Sequence, residues 1–152
     1  MATATSTDQD NGGPGELRAE WLERLSSLTE LVGSWATERD WSTRQIEKKM
    51  KDSRLGSYAA PALIMQKGTT RVLLDPIARF APGSDGVVDL YLMPAYDDIA
   101  SLYLVNGKWQ LHYMFPGSPV AATIRDAASV PLSKKALNQV LDQMSEDAAK
   151  LL

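Results

Sequence analysis

The segment from Ile99 to Phe115, IASLYLVNGKWQLHYMF, contains two alternating apolar runs joined by Asn106-Gly107. Asn-Gly between alternating runs is a strong signal of a two-residue hairpin turn, because both residues tolerate positive φ. The turn fixes the register, so the strands are predicted to pair outward from Val105 opposite Lys108. One side of this hairpin is apolar throughout and is expected to lie on a core. The pairs on that side are Leu104 with Trp109, Leu102 with Leu111, and Ala100 with Tyr113.

The other side of the hairpin mixes aromatic, polar and charged residues. The preceding run, from Val87 to Met93, also alternates and is predicted to join the same sheet. The register that we expect places Asp89 beside Tyr103 and Tyr91 beside Ser101. We call this side the mixed face, and it is the candidate binding surface of the protein. Its residues are Asp89, Tyr91, Ser101, Tyr103, Gln110 and His112.

Two amphipathic helices are predicted, one before and one after the strands of this sheet in the chain. From Glu16 to Trp35, apolar residues recur at spacings of four and three. Gly33 is expected to weaken or end that helix, since glycine costs about 1 kcal/mol relative to alanine in a helix interior. Near the C-terminus, Ser133 is a good N-cap for a helix whose apolar residues repeat from Leu137 onward.

The segment from Trp41 to Lys51 fits either a short helix or a strand, and its alternation favours a solvated strand. A loop is expected from Asp52 to Tyr58. The runs after it flank Lys67-Gly68 and predict a second hairpin. In that hairpin we expect Leu63 to pair with Val72.

The fold class that follows is α+β, with an antiparallel meander of about five or six strands. Both helices are predicted to pack on the face that carries Leu102, Leu104, Trp109 and Leu111. Residues 16–152 form one domain in this interpretation, and residues 1–15 form a disordered tail. Residues 116–131 contain three prolines and predict a long connection with at most one helical turn. That connection either leaves the mixed face exposed or folds back over it.

Composition limits the function. The chain has 152 residues, no cysteine and a formal charge of -3, which excludes a disulfide framework, a thiolate nucleophile and a cysteine-ligated zinc. No clustered basic surface for nucleic acid is expected from an acidic chain. No signal peptide or apolar membrane span is recognisable, so we expect a soluble, cytoplasmic protein. No phosphate-binding loop, dinucleotide fingerprint, cofactor or metal site is predicted.

Three residues of the mixed face invite a hydrolase interpretation. A serine–histidine–aspartate triad needs the base between the nucleophile and the acid. In the expected register, Ser101 lies on the central strand, with His112 on one flank and Asp89 on the other. The pattern therefore argues against a triad. The acidic residues of the turn that contains Asp97 and Asp98 are better explained by hydrogen bonds to the local backbone than by a metal.

Two short stretches resemble known families. Gly86-Val87-Val88-Asp89-Leu90 resembles the acidic strand of restriction-endonuclease-like nucleases, which implies metal-dependent cleavage at Asp89. The Glu-x-Lys of that family is missing from the next strand, and Glu47-Lys48-Lys49 lies upstream. Gly33-Ser34-Trp35 is similar to the Gly-x-Trp that opens the first strand of lipocalin-like and fatty-acid-binding barrels. That likeness implies a small apolar ligand inside a barrel.

Recognition is the function that these observations favour. Tyrosine and methionine are enriched in interface cores, because they bury a large area and keep a polar or adaptable end. We therefore expect a binding or accessory domain without catalysis, which docks a protein partner or a second copy on the mixed face. A small-molecule pocket protein is the alternative, followed by a hydrolase or nuclease that uses Asp89, Ser101 and His112.

Overall fold

The computed structural model describes residues 13–115 and 129–150. In these residues two helices flank one seven-stranded antiparallel sheet, whose strands follow each other in chain order. The α+β class and the meander are confirmed, with seven strands in place of the five or six expected. The helices are α1 (Pro14–Glu38) and α2 (Lys134–Lys150). The strands are β1 (Ser42–Asp52), β2 (Gly56–Lys67), β3 (Thr70–Ala78), β4 (Gly86–Leu92), β5 (Asp97–Val105), β6 (Lys108–His112) and β7 (Ser129–Pro131).

Helix α1 is longer than its sequence predicts. It begins at Pro14, before the expected start at Glu16, and most of the predicted tail, residues 1–12, lies outside the described residues. The expectation that Gly33 weakens or ends the helix is wrong. Val32 and Ala36, on either side of Gly33, are both fully buried, and their burial carries the helix through the glycine to Glu38.

The first hairpin settles the segment from Trp41 to Lys51 as a strand. β1 pairs with β2 over its whole length, from Ser42 opposite Gln66 to Asp52 opposite Gly56. The loop between them is shorter than expected, because Asp52 Oδ1 accepts the backbone N–H groups of Arg54 at 2.6 Å and Leu55 at 2.9 Å. A side chain that accepts two successive N–H groups closes a turn within a few residues.

The second hairpin forms with a different register. Leu63 pairs with Leu74 and not with Val72, because the loop is Gly68-Thr69 and not Lys67-Gly68. Gly68 has φ +61 and occupies the first loop position, which is where a type II′ turn places glycine. Moving the turn by one residue moves every pair of the hairpin by two.

Strands β4 and β5 also pair differently from the prediction. Asp89 lies opposite Ser101, and Val87 lies opposite Tyr103, so the expected pairing of Asp89 with Tyr103 is wrong by two positions. Tyr91 falls in the register shift between Leu90 and Leu92 and does not pair with Ser101 as expected. The connection between the strands is tighter than the alternation suggested, with Tyr96 at φ +54 and an irregularity between Leu90 and Leu92. The Asn106-Gly107 hairpin, in contrast, has the predicted register throughout.

The core lies between the sheet and the two helices. Trp21 of α1 and Leu137 of α2 are fully buried in the same cluster as Leu102 and Leu111, and the rings of Trp21 and Trp109 lie 6.3 Å apart. Ser133 caps α2 as predicted, with its Oγ accepting the N–H of Ala136 at 3.1 Å. Of the predicted connection, residues 129–131 form β7, and residues 116–128 lie outside the described residues.

Candidate functional site

The sheet places all six predicted site residues on one face. Asp89, Ser101 and His112 lie directly opposite one another on β4, β5 and β6. Tyr103 and Gln110 form the next row on β5 and β6. Residues opposite each other in an antiparallel sheet share a face, and residues two apart on a strand share it too. Tyr91 therefore joins the same face from β4.

Asp89 is the centre of the mixed face. It is only 6% exposed, and both of its carboxylate oxygens accept hydrogen bonds from hydroxyl groups. Ser101 donates to Oδ1 at 3.0 Å, and Tyr96 donates to Oδ2 at 2.7 Å. Asp89 forms no ion pair among the described residues. Two hydroxyl donors therefore satisfy this buried carboxylate where a cation would usually do so.

Asp75 of β3 lies directly opposite Asp89 and forms a second cluster. Tyr91 donates to its Oδ2 at 2.9 Å. Lys48 reaches over β2 from β1 to donate to Asp75 Oδ1 at 2.7 Å and to the carbonyl of Pro76 at 2.8 Å. The two neighbouring carboxylates thus differ, since one is paired with a cation and the other with hydroxyl groups.

Sequence reasoning missed Lys48, Asp75 and Tyr96. Asp75 carried a usable signal, because an acidic residue inside an apolar strand is almost never buried without a partner. Lys48 and Tyr96 had no such signal. The position of Lys48 depends on the register of β1, and that of Tyr96 depends on the turn between β4 and β5, and the local sequence pattern predicts neither.

The tyrosines of the mixed face are held in fixed positions. The rings of Tyr91 and Tyr96 meet edge to face at 4.5 Å, and the ring of Tyr103 meets that of His112 in the same way at 4.8 Å. Burial, followed by the hydrogen bond to Asp75, raises the pKa of Tyr91 above its ordinary value. The hydrogen bond to Asp89, together with burial, raises the pKa of Tyr96 to about 12. Both hydroxyl groups therefore remain donors at neutral pH.

Ser101, His112 and Asp89 do not form the hydrogen-bond sequence of a catalytic triad. Ser101 Oγ donates a hydrogen bond directly to Asp89 Oδ1, and among the described residues no hydrogen bond joins Ser101 to His112. Nδ1 of His112 is buried without a hydrogen-bond partner in the same part of the chain. A triad requires the histidine to accept from the serine and to donate to the acid.

The two family likenesses find no matching geometry. Within residues 13–115 and 129–150, no group of three or more His, Asp or Glu side chains is arranged to hold a metal ion. Gly33-Ser34-Trp35 lies inside α1, whereas the barrel motif opens a first strand. In the described part of the chain the sheet is open, with β1 and β7 as its two edges, and so differs from the closed barrel that this likeness implies.

Comparison with known proteins gives no relative. No family model, no curated protein and no solved structure matches the chain. Neither described helix has the length and apolar character needed to cross a membrane.

Proposed function

We propose that the chain is a non-enzymatic binding domain that recognises a partner protein through the mixed face of its sheet. The observation that carries this proposal is Tyr96, whose side chain is 51% exposed while its hydroxyl is bonded to the buried Asp89. Such a residue offers a large apolar ring to a partner and loses little conformational freedom on binding, because the ring is already held. A cytoplasmic location, which suits a chain without cysteine, is part of the proposal.

The surroundings of Tyr96 support a protein partner. Tyrosine is among the residues that dominate binding energy at protein interfaces, especially near the centre of the contact. Tyr91 and Tyr103 supply two further half-buried rings on the same face, and Met114, two positions after His112, is 42% exposed. Exposed aromatic and methionine side chains that cluster on one face are typical of recognition surfaces.

The chemistry of the polar residues fits support of these rings better than catalysis. Asp75 and Asp89 each hold a tyrosine hydroxyl, and the Ser101 proton is directed to Asp89. A general base must be free to accept a proton from the reacting group. Both carboxylates instead have their oxygens occupied by donors from the protein itself.

Affinity capture from a lysate of the source cells tests the proposal. Immobilised wild-type protein is compared with Tyr96→Ala, Tyr103→Ala and the control Leu31→Ala, whose side chain is 42% exposed on α1, which packs on the opposite face of the sheet. We expect a protein that the wild type and Leu31→Ala retain and that both tyrosine variants lose. Circular dichroism verifies that all variants are folded. Retention of the same proteins by all four columns would contradict the proposal.

A further inference from the structure

The outer edge of β1 is the longest open edge of the sheet. β1 has 11 residues, and in the part of the chain that the structure describes no strand pairs with its outer side. An open edge presents unpaired N–H and C=O groups and is a template for another strand. The other edge strand, β7, has only three residues and offers much less.

The ladder determines which backbone groups of β1 point outward. Around the two-residue loop Gly68-Thr69, Lys67 and Thr70 form the closing hydrogen-bonded pair, so alternate residues of β2 bond to β3. The residues between them bond to even-numbered partners on β1, as Ile64 does to Arg44. Pro61 has no N–H to donate, and it lies opposite Glu47, one of the β1 residues that do not bond to β2. The residues whose backbone groups point outward are Thr43, Gln45, Glu47, Lys49 and Lys51.

We propose that two copies of the chain pair through the outer edges of β1, antiparallel and centred on Lys48. A two-fold axis perpendicular to the sheet keeps each residue on its own face, and residues that face each other across the pair share a face. The axis must therefore pass midway between one residue and the same residue of the second copy. With the axis at Lys48, Glu47 lies opposite Lys49 of the second copy in a hydrogen-bonded pair. Ile46 lies opposite Met50, and Arg44 lies opposite Asp52.

Charge favours this register over the one centred on Glu47. Each Glu47–Lys49 and Arg44–Asp52 pair occurs twice in the dimer, and opposite charges across a strand pair are stabilising. Moving the axis to Glu47 would place that carboxylate against its own copy. At the chosen centre the two Lys48 residues lie opposite each other. Their repulsion is reduced because each ammonium group forms an ion pair with Asp75 of its own copy at 2.7 Å.

The helices leave room for the second copy. Helix α1 packs mainly against β2, and in the dimer β2 and its copy lie three strand spacings apart, about 14 Å. Packed helices need only about 8–10 Å between their axes, so the two copies of α1 do not collide. Beside β1 lies an open groove of about 620 Å³, which Gly33 and Ser34 line together with Glu30 and Glu38 of α1.

The pairing would join two seven-stranded sheets into one continuous sheet. Because the axis is perpendicular to the sheet, both mixed faces lie on the same side of the dimer. A partner with two equivalent binding segments would then engage both copies and gain avidity without any new contact. This arrangement goes beyond the proposed recognition function and does not depend on it.

Sedimentation equilibrium of the full chain tests the dimer. We expect the wild type to dimerise and Gln45→Pro to be monomeric, because the Gln45 N–H points outward and its loss leaves the β1–β2 ladder intact. Glu47→Lys and Lys49→Glu are each expected to weaken the dimer about tenfold, since two ion pairs become two like-charge pairs. The double variant E47K/K49E restores the opposite charges and should restore the dimer, which a general loss of folding would not do.

Three results would overturn the pairing. These are a wild type that remains monomeric at the highest concentration measured, a dimer that Gln45→Pro leaves intact, and a double variant that stays as weak as the single ones. Tyr96→Ala separates this inference from the recognition proposal. It should leave the dimer unchanged, and its disruption of the dimer would place self-association on the mixed face.

Discussion

Replacement of Tyr91 by phenylalanine measures how firmly the mixed face is held. The change removes one hydroxyl, which donates at 2.9 Å to Asp75, a residue that is 8% exposed. A hydrogen bond to a charged group contributes about 1.5–3 kcal/mol. Because Asp75 keeps its ion pair with Lys48 at 2.7 Å, its charge is not left unpaired, and we expect the lower end of this range, about 1.5 kcal/mol.

Urea unfolding followed by tryptophan fluorescence gives the free energy of unfolding of each variant. Tyr103→Phe is the matched control, because among the described residues the Tyr103 hydroxyl makes no hydrogen bond, although its ring lies on the same face. The control should change stability by less than about 0.5 kcal/mol. Equal effects of the two substitutions would refute the assignment of Tyr91 as a structural donor to Asp75.

Two further predictions concern pH and packing. Burial, together with the neighbouring Asp147 carboxylate, raises the pKa of Asp98 from 3.8 to about 6, so the stabilisation that Asp98 provides below pH 4 should be lost as the pH rises through about 6. Asp98→Asn should flatten that part of the stability profile in urea titrations between pH 4 and 7, and an unchanged profile would contradict the assignment. Gly86→Ala should destabilise the fold by about 1–3 kcal/mol, because a Cβ there would lie 2.6 Å from the buried Trp21 ring. A thermal unfolding midpoint equal to that of the wild type would exclude this close contact.

The sequence predicted the faces of the sheet better than its pairings. Asn106-Gly107 specified one register, because both residues adopt the positive φ that this turn requires. Elsewhere the observed pairs differ from the predicted ones by two positions. Asp89, for example, pairs with Ser101, whereas Tyr103 was the predicted partner. A shift of two preserves the face of every residue, since side chains alternate with a period of two. The mixed face therefore contained the predicted residues although their neighbours differed.

The elements of the site that escaped prediction depend on long-range packing. The helix continued through Gly33 because Val32 and Ala36 are buried against the sheet, and propensity does not encode that burial. Lys48 reaches Asp75 only because β2 separates their strands by a single position in the sheet. Tyr96 reaches Asp89 from a turn in which Tyr96 has a positive φ. Aromatic residues rarely adopt this conformation, so the sequence offers no reason to predict it.

The affinity of the captured partner for the mixed face tests the recognition proposal most directly. Calorimetric titration would compare the wild type with Tyr96→Ala and Leu31→Ala, each at the same protein concentration. We predict that Tyr96→Ala weakens binding by about 2 kcal/mol, roughly 30-fold, as for a central interface tyrosine, and that Leu31→Ala binds like the wild type. Equal affinities for Tyr96→Ala and the wild type would contradict a recognition role for this face.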